Sequence, residues 1–471
     1  MDFAAFGGLL LLSIPPLAVV CVLLTGPVAE VIGRWQREEA QVVRAPVVVG
    51  GVALLVEAIL AVALWNMHAV RAELRVTVGQ GALWVDRYAM GAILAVSAAM
   101  LMALVGAEIA RPRDTRVDCL EVGAVMFLWA AQVALLLAGT LPAVTVAVAL
   151  SSLAVGITVL LAARLEEGLS RAGLTATAVL VPMLVWLVLG AARRLPAGAG
   201  ISEADTALRT ADPDVVRAAL GSLWMGGTVP LVAGTALLGA APRQGALGYV
   251  GLAGLVAAGM TGMLPALFRI SAMAFPAGSP VYALQWLSPR LGWTAIVLAV
   301  AALGLVHAPA GLWRRGSLAA VGLLCGLGWC MSHFGHAGVE MALMVSACAG
   351  LTFPLYLGLV VSTDRARPAA PGANPSSLRW SSPVLEACVF LPWGLTVAVS
   401  APGGLLVVVA AVATGVRLEG DLGKLAPFVP RRGPAGARFW VEVYAVVVVA
   451  LFAAVLGLVW GHTSAGSLFP R

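Results

Sequence analysis

Apolar runs of about 20 residues recur along the whole chain, and this is the length at which a helix crosses ~30 Å of bilayer hydrocarbon. The composition agrees, since 61% of the 471 residues are hydrophobic and only 11% are charged. Soluble domains carry roughly 25% charged residues, so a soluble globular chain is excluded. The runs are continuous rather than alternating, which also excludes a closed outer-membrane barrel. The sequence therefore predicts an all-α polytopic membrane protein.

About fourteen transmembrane helices fit the apolar runs. They are 7–32, 45–66, 88–110, 119–139, 141–163, 173–194, 221–241, 246–269, 291–312, 316–336, 338–362, 383–401, 403–417 and 438–461. The first run has no basic leading segment and no small-residue cleavage site after it, so we predict a retained helix. If residue 1 lies outside, most of the 29 basic residues fall in cytoplasmic loops. This bias predicts an inner-membrane protein with both termini in the periplasm.

We predict a single transmembrane domain over residues 1–471, with three segments outside the membrane. Residues 195–220 form a surface segment, which is either a short helix along the membrane or a solvated loop. Residues 363–382 are a flexible cytoplasmic linker, and residues 418–437 form an arginine-rich cytoplasmic loop that faces a partner or lipid headgroups. Loops of this kind account for the net charge of +6, so nucleic-acid binding is not indicated.

Glu57 is an acidic residue in the middle of a predicted span, 45–66. An ionisable group at that depth costs roughly 2.5–3.5 kcal/mol on insertion scales, so it is a candidate functional residue. Two interpretations stay open: Glu57 belongs to a proton relay, or it is a buried carboxyl bonded to an arginine or a hydroxyl in the bundle. Glu121 lies within two turns of a span end, where we expect its carboxylate to reach water.

Two histidines, His333 and His336, flank Gly335 at a spacing that places both rings on one helix face. They fall at a predicted loop, so an interfacial role without a ligand is the alternative. The cysteines show no metal-ligand spacing, and the sequence has no motif for a nicotinamide, a flavin or an iron–sulfur cluster. We therefore predict no metal site and no cofactor.

Prolines interrupt one of the later apolar runs. Pro265 lies inside that run, and Pro276, Gly278 and Pro280 follow it. Proline removes a backbone donor and frees a carbonyl, which membrane proteins tolerate only where protein or a water-filled cavity satisfies that carbonyl. The pattern predicts a broken helix near residues 259–285, and broken helices are where transporters place ion sites.

Three short motifs follow one another in this part of the chain. They are Gly259-Met260 with Pro265, the Pro-Val-Tyr-Ala-Leu run at 280–284, and the Leu-Trp-Arg-Arg run at 312–315. Their order and spacing resemble the antiporter-like proton-channel subunits of respiratory complex I, a family shared with Mrp antiporters and membrane-bound energy-converting hydrogenases. The resemblance covers a core region of about residues 85–360. It implies an antiporter-like fold, with which fourteen spans and periplasmic termini agree.

The departures from this family are systematic. Its members move protons with a membrane-embedded lysine in the broken helix, a glutamate in the fifth helix, and further lysines or histidines. Here Met260 stands at the position of that lysine, the fifth predicted span (141–163) contains no acid, and Lys424, in a loop, is the only lysine. The resemblance therefore implies a degenerate member whose usual relay is interrupted. The candidates for a substitute proton relay are Glu57, Arg269, His307 and His333.

These observations predict a membrane subunit of a complex-I-like or membrane-hydrogenase-like ion-translocating oxidoreductase assembly, with a structural or coupling role. Its partners would be other membrane subunits and the lipid bilayer, and those subunits would perform any redox chemistry. The chain is at most a non-redox subunit of such an enzyme. The alternative is an independent secondary transporter of a small solute or ion that uses the broken helix, with an anion favoured by Arg269 and helix dipoles.

Overall fold

The computed structural model describes residues 3–35, 45–67, 74–78, 81–110, 119–165, 247–267 and 269, together with six single helical positions between 223 and 234. Five helices in these ranges are long and apolar enough to cross a membrane. They are α1 (Phe3–Trp35), α2 (Ala45–Trp65), α3 (Arg87–Ala110), α4 (Cys119–Leu137) and α5 (Leu141–Leu165). The first five predicted spans are therefore confirmed as apolar helices of membrane-spanning length, and the chain is a mostly helical, multi-pass membrane protein.

Several predictions fall on other parts of the chain. The spans at 173–194 and from 291 onward, the surface segment 195–220 and the cytoplasmic loops 363–382 and 418–437 all lie outside the described residues. The total of fourteen spans and the domain boundaries accordingly stay predictions.

Helix α4 lies at the centre of the described bundle. It contacts α1, α3, α5 and a later helix, α6 (Leu247–Ala258), and 14 of its 19 residues are buried. A helix that is apolar on all sides is typical of such a position. Helices α1 and α2 lie at the outside, where each exposes large aliphatic side chains such as Leu17, Val20, Val52 and Ile59. These outer faces suit contact with lipid or with another membrane helix.

A β-hairpin joins α2 to α3, and the sequence analysis did not predict it. Strand β1 (Leu74–Val78) pairs antiparallel with strand β2 (Gly81–Val85), and Arg75 pairs with Trp84 in this register. The prediction of an all-α chain was therefore incomplete. Because the hairpin follows the C-terminal end of α2 and leads directly into α3, it marks one end of the helix bundle.

The turn between α4 and α5 lies against this hairpin. The N–H of Gly139 donates a hydrogen bond to the carbonyl oxygen of Ala82 at 2.8 Å, and Ala138 forms an isolated antiparallel bridge with Leu83. A Cβ atom on Gly139 would lie 2.6 Å from the carbonyl oxygen of Ala82, closer than real Cβ atoms come. Because the obstacle is backbone rather than a flexible side chain, glycine is required for this approach.

We expect Gly139→Ala to destabilise the protein, because the hairpin must move away from the α4–α5 turn to admit the methyl group. Forced overpacking of this kind typically costs about 1–3 kcal/mol. Gly51→Ala is the matched control, since a Cβ there would lie 3.6 Å from Leu101, an ordinary contact distance. The apparent melting temperature in detergent, followed by tryptophan fluorescence, measures both variants. Equal stability of the two would contradict the close approach at Gly139.

Helix α6 changes its hydrogen-bond register at its C-terminal end. The π-helical segment Gly259–Met263 follows it, with the N–H of Leu264 bonded to the carbonyl of Gly259, and helical structure then continues through Pro265. A proline clashes with the carbonyl four residues before it in an α-helix, and the wider turn directly before Pro265 relieves that clash. Within its described part, the predicted broken helix is therefore a widened helix rather than a break.

Candidate functional site

Asp86 links the hairpin to α3 and caps that helix. Its Oδ1 accepts a hydrogen bond from the N–H of Ala89 at 2.7 Å, and its carbonyl accepts the first bond of the helix from Met90 at 3.0 Å. Aspartate is a preferred N-cap residue because it satisfies a free N–H, and its charge suits the positive end of the helix dipole. The other carboxyl oxygen, Oδ2, faces a partner from a distant part of the chain.

That partner is Arg269, in the helical stretch that continues α6. Its Nη2 lies 2.6 Å from Oδ2 of Asp86 in a salt bridge whose two side chains are only 3% and 7% exposed. Its Nη1 donates to the carbonyl of Leu136 at 2.8 Å, in the last turn of α4. The last carbonyls of a helix have no intrahelical partner and carry partial negative charge, so a cation suits them. Arg269 therefore joins its own helix to both α3 and α4.

Two aromatic side chains surround the guanidinium group of Arg269. Its Cζ lies 4.3 Å from the ring centroid of Trp84 and 5.7 Å from that of Tyr88, within the range of cation–π contacts. The hydroxyl of Tyr88 donates to the carbonyl of Pro265 at 2.8 Å, one turn earlier in the same helix as Arg269. Trp84, Asp86, Tyr88 and Arg269 together form what we call the hairpin-end cluster.

The hairpin-end cluster keeps one negative and one positive charge out of water. The guanidinium group of Arg269 supplies the positive charge and offers N–H donors but no acceptor. Its planar set of donors suits a carboxylate and a carbonyl at the same time. The cluster thereby holds four segments together at one end of the bundle: the hairpin, α3, α4 and the helix that carries Arg269.

Glu57 lies in the middle of α2, on the face that packs into the bundle with Leu54, Ala61 and Leu64. It is 0% exposed, and neither of its carboxyl oxygens has a hydrogen-bond partner among the described residues. At 1.5 Å per residue, it lies about 12 Å from the end of α2 that leads to the hairpin. One of the two interpretations of Glu57 requires a bonded arginine or hydroxyl, and these residues do not include one.

Glu121 lies in the first turn of α4, at the end of the bundle opposite the hairpin. The expectation that its carboxylate reaches water was wrong, because the residue is only 1% exposed. The physical reason is the central position of α4, whose first turn is covered by its neighbours. Helix α1, for example, brings Gly26 against Cys119 at the start of α4.

Only some of the predicted site residues are described. Pro265 and Arg269 lie close together. Tyr88 donates a hydrogen bond to the carbonyl of Pro265, and Arg269 donates one to nearby Asp86. Glu57 is not hydrogen-bonded to Arg269 and belongs to a separate part of the bundle. The backbone of Met260 lies in the π segment. The remaining predicted residues lie outside the described part of the chain: His307, His333, Pro276, Gly278 and Pro280.

Sequence reasoning missed Trp84, Asp86 and Tyr88. Asp86 lies two residues before the apolar run 88–110, and an aspartate at the start of such a run is a recognisable N-cap signal. That signal predicts the cap but not the ion pair, because 183 positions separate Asp86 from Arg269.

No protein-family model matches the sequence, and no curated protein matches it. Solved structures do match. A chain of the membrane-bound sulfane sulfur reductase, an archaeal respiratory membrane complex, is 13% identical at a TM-score of 0.70, over 96% of this chain and 95% of that chain. A chain of respiratory complex I from Thermus thermophilus is 13% identical at a TM-score of 0.58, over 96% of this chain and 99% of that chain.

A third similar structure is the Mrp complex from Dietzia sp. DQ12-45-1b, in which the matching chain is 14% identical at a TM-score of 0.65. The match includes 93% of this chain but spans only about half, 49%, of the Mrp chain. At sequence identities this low, the likeness to all three structures shows the fold alone.

Proposed function

This chain has the fold of the antiporter-like membrane subunits, and from that premise we propose that it is a membrane subunit of a complex-I-like or membrane-hydrogenase-like ion-translocating oxidoreductase assembly. One observation carries the proposal: the likeness to a chain of an archaeal respiratory membrane complex extends over 96% of this chain and 95% of that one. The correspondence runs from end to end instead of covering one shared module. Since a fold alone does not assign an activity, the role depends on the ionisable residues of the chain.

We infer a structural or coupling role for the chain rather than proton conduction. A proton relay needs groups that exchange protons at membrane depth. Met260 stands where the family resemblance places a lysine, α5 carries no acidic residue, and the only lysine of the chain, Lys424, lies outside every predicted span. Of the buried carboxyls described, Asp86 is held in an ion pair. A single mid-span carboxyl, Glu57, can bind a proton but needs further groups or ordered water to pass it on.

The hairpin-end cluster supports the coupling role. It joins the hairpin, α3, α4 and the helix of Arg269 at one end of the bundle, so a displacement of one of these segments is passed to the others. The apolar outer faces of α1 and α2 offer surfaces to neighbouring membrane subunits and to lipid. We place the protein in the inner membrane with both termini in the periplasm, and we assign the redox chemistry of the assembly to other subunits.

The proposal is tested by extracting the tagged protein from its native membrane in a mild detergent and identifying, by mass spectrometry, what migrates with it on a native gel. We expect subunits of a quinone-reductase-like or hydrogenase-like enzyme, together with other antiporter-like chains. Recovery of the protein alone, as a monomer or homo-oligomer, would overturn the proposal in favour of the independent secondary transporter.

Glu57→Gln tests the non-conducting role. Glutamine keeps the shape of the acid but cannot exchange a proton, so a relay through Glu57 would be interrupted. We expect proteoliposomes with the intact assembly to take up protons at the wild-type rate in this variant. Val56→Leu, at an exposed neighbouring position, controls for the efficiency of reconstitution. Loss of proton uptake in an intact Glu57→Gln assembly would overturn the non-conducting role and assign Glu57 to a relay.

A further inference from the structure

Gln132 places an unsatisfied amide inside the helix bundle. It lies in α4 and is 0% exposed, and neither its Oε1 nor its Nε2 has a hydrogen-bond partner within the described ranges. Leaving buried polar atoms without partners costs roughly 1–3 kcal/mol, so such groups are nearly always met by protein or by ordered water. Whatever meets this amide must supply both a donor and an acceptor.

The amide of Gln132 lies directly against the π segment. A Cβ atom on Gly262 would approach both Cβ and Oε1 of Gln132 to 2.8 Å. Glycine at this position therefore lets the main chain of the π segment come next to the amide, and a larger residue would occupy the same space. The groups nearest to the amide on this side are thus backbone groups of Gly259–Met263.

Pro265 takes one backbone donor out of the same stretch of main chain. Pro265 has no N–H, so it cannot bond to the carbonyl of Met260 in the π register or to that of Thr261 in the α register. The hydroxyl of Thr261 donates to the carbonyl of Ala257 at 2.6 Å and keeps lone pairs that accept hydrogen bonds. Widened turns of this kind recur at functional sites.

We propose that Gln132 and the π segment form an internal site for bound water. One or two water molecules accept a hydrogen bond from Nε2 of Gln132 and donate to its Oε1 and to the carbonyl, of Met260 or Thr261, to which Pro265 cannot donate. This gives them the two to four polar contacts that buried waters typically make. The proposal concerns the contact between α4 and the π segment, and it does not depend on the proposed function.

Water fits this site better than an alkali cation does. The amide presents Nε2, a donor, which would point its positive end at a cation. Among the described residues, no carboxylate is hydrogen-bonded to the amide of Gln132 to offset the charge of a cation there.

Cryo-electron microscopy of the protein in its native assembly, at a resolution that shows ordered water, tests the proposal directly. We expect non-protein density at about 2.7–3.2 Å from an amide atom of Gln132 and from a carbonyl of the π segment. An amide bonded instead to another protein side chain, or one that faces no density, would overturn the water site.

Gln132→Met gives an independent measurement, because methionine matches the length of glutamine without its polar atoms. If water occupies the site, the variant takes away the hydrogen bonds between that water and the amide, and the apparent melting temperature falls by at least about 2 °C. If the site is dry, the variant removes two unsatisfied atoms and the melting temperature rises, which overturns the proposal. Leu135→Met, at a buried position of the same helix, controls for the introduction of methionine.

Salt titration distinguishes water from a cation. We expect the melting temperatures of the wild type and of Gln132→Met to respond equally to NaCl, KCl and choline chloride. A saturable rise with Na⁺ or K⁺ in the wild type, abolished by Gln132→Met, would replace the water site with a cation site.

Discussion

Arg269→Met is expected to lower the free energy of unfolding by about 3–5 kcal/mol, the usual cost of breaking a buried salt bridge by removing one partner. The variant leaves Asp86 buried without its countercharge and the carbonyl of Leu136 without its donor. Because native stability is only of order 5–15 kcal/mol, a loss of this size sharply reduces the yield of folded protein. Heating the detergent-solubilised protein and recording what remains folded by size-exclusion chromatography measures the effect.

Asp86→Asn is the matched variant, because asparagine keeps the N-cap of α3 and loses the charge. It leaves Arg269 without its countercharge, so it is also expected to destabilise the protein. The double variant should cost less than the sum of the two single variants, since neither charge is then left unpaired. The recovery is partial, because the bond from Arg269 to Leu136 is lost in the double variant too. Simple additivity of the two losses would contradict a coupled pair.

The transmembrane helices could be predicted closely from the sequence. The predicted spans 45–66 and 119–139 begin at the first residues of α2 and α4 and end within two residues of their last ones. In lipid a helix must satisfy its own backbone, so a long apolar run indicates both the type and the length of the element. Nothing about the partner helices is needed for that prediction.

The hairpin was not predicted because its strands have five residues each, whereas the apolar runs that indicate transmembrane helices have about 20 residues. Its signal is nevertheless present in the sequence. Val76 and Val78 alternate with Arg75 and Thr77, and only two residues separate this strand from Gly81 at the start of the next. This is the period-two pattern with a short glycine-containing connection that is typical of a β-hairpin.

The form of the irregular helix and the partners of its residues could not be predicted from the sequence. Pro265 indicates that the helix is irregular, but whether it breaks or widens depends on what packs against it, and here Gly262 lets α4 approach closely. The pair of Asp86 and Arg269 likewise depends on which helix ends meet in three dimensions. The antiporter-like fold was indicated by motif order, whereas the role rests on individual residues.

Glu57→Leu is expected to stabilise the protein by about 1–3 kcal/mol, because it removes two buried oxygens that have no hydrogen-bond partner in the described part of the chain. Leucine also suits this face of α2, where Leu54 and Leu64 are buried on either side. Thermal unfolding in detergent measures the gain. Leu54→Met is the control, since a volume-conserving apolar exchange one turn away should change stability by less than about 1.5 kcal/mol.

The sign of the Glu57→Leu effect separates the two interpretations of this carboxyl. A loss of stability would show that Glu57 is bonded to a group outside the described residues, and would make it a structural carboxyl. A gain would mean that the native chain keeps a destabilising acid at mid-span, which is expected where a residue serves function rather than stability. In that case, the assembly that contains the Glu57→Leu variant is the next measurement. If it forms and takes up protons, but this uptake is no longer coupled to the redox reaction, the function of Glu57 lies in coupling.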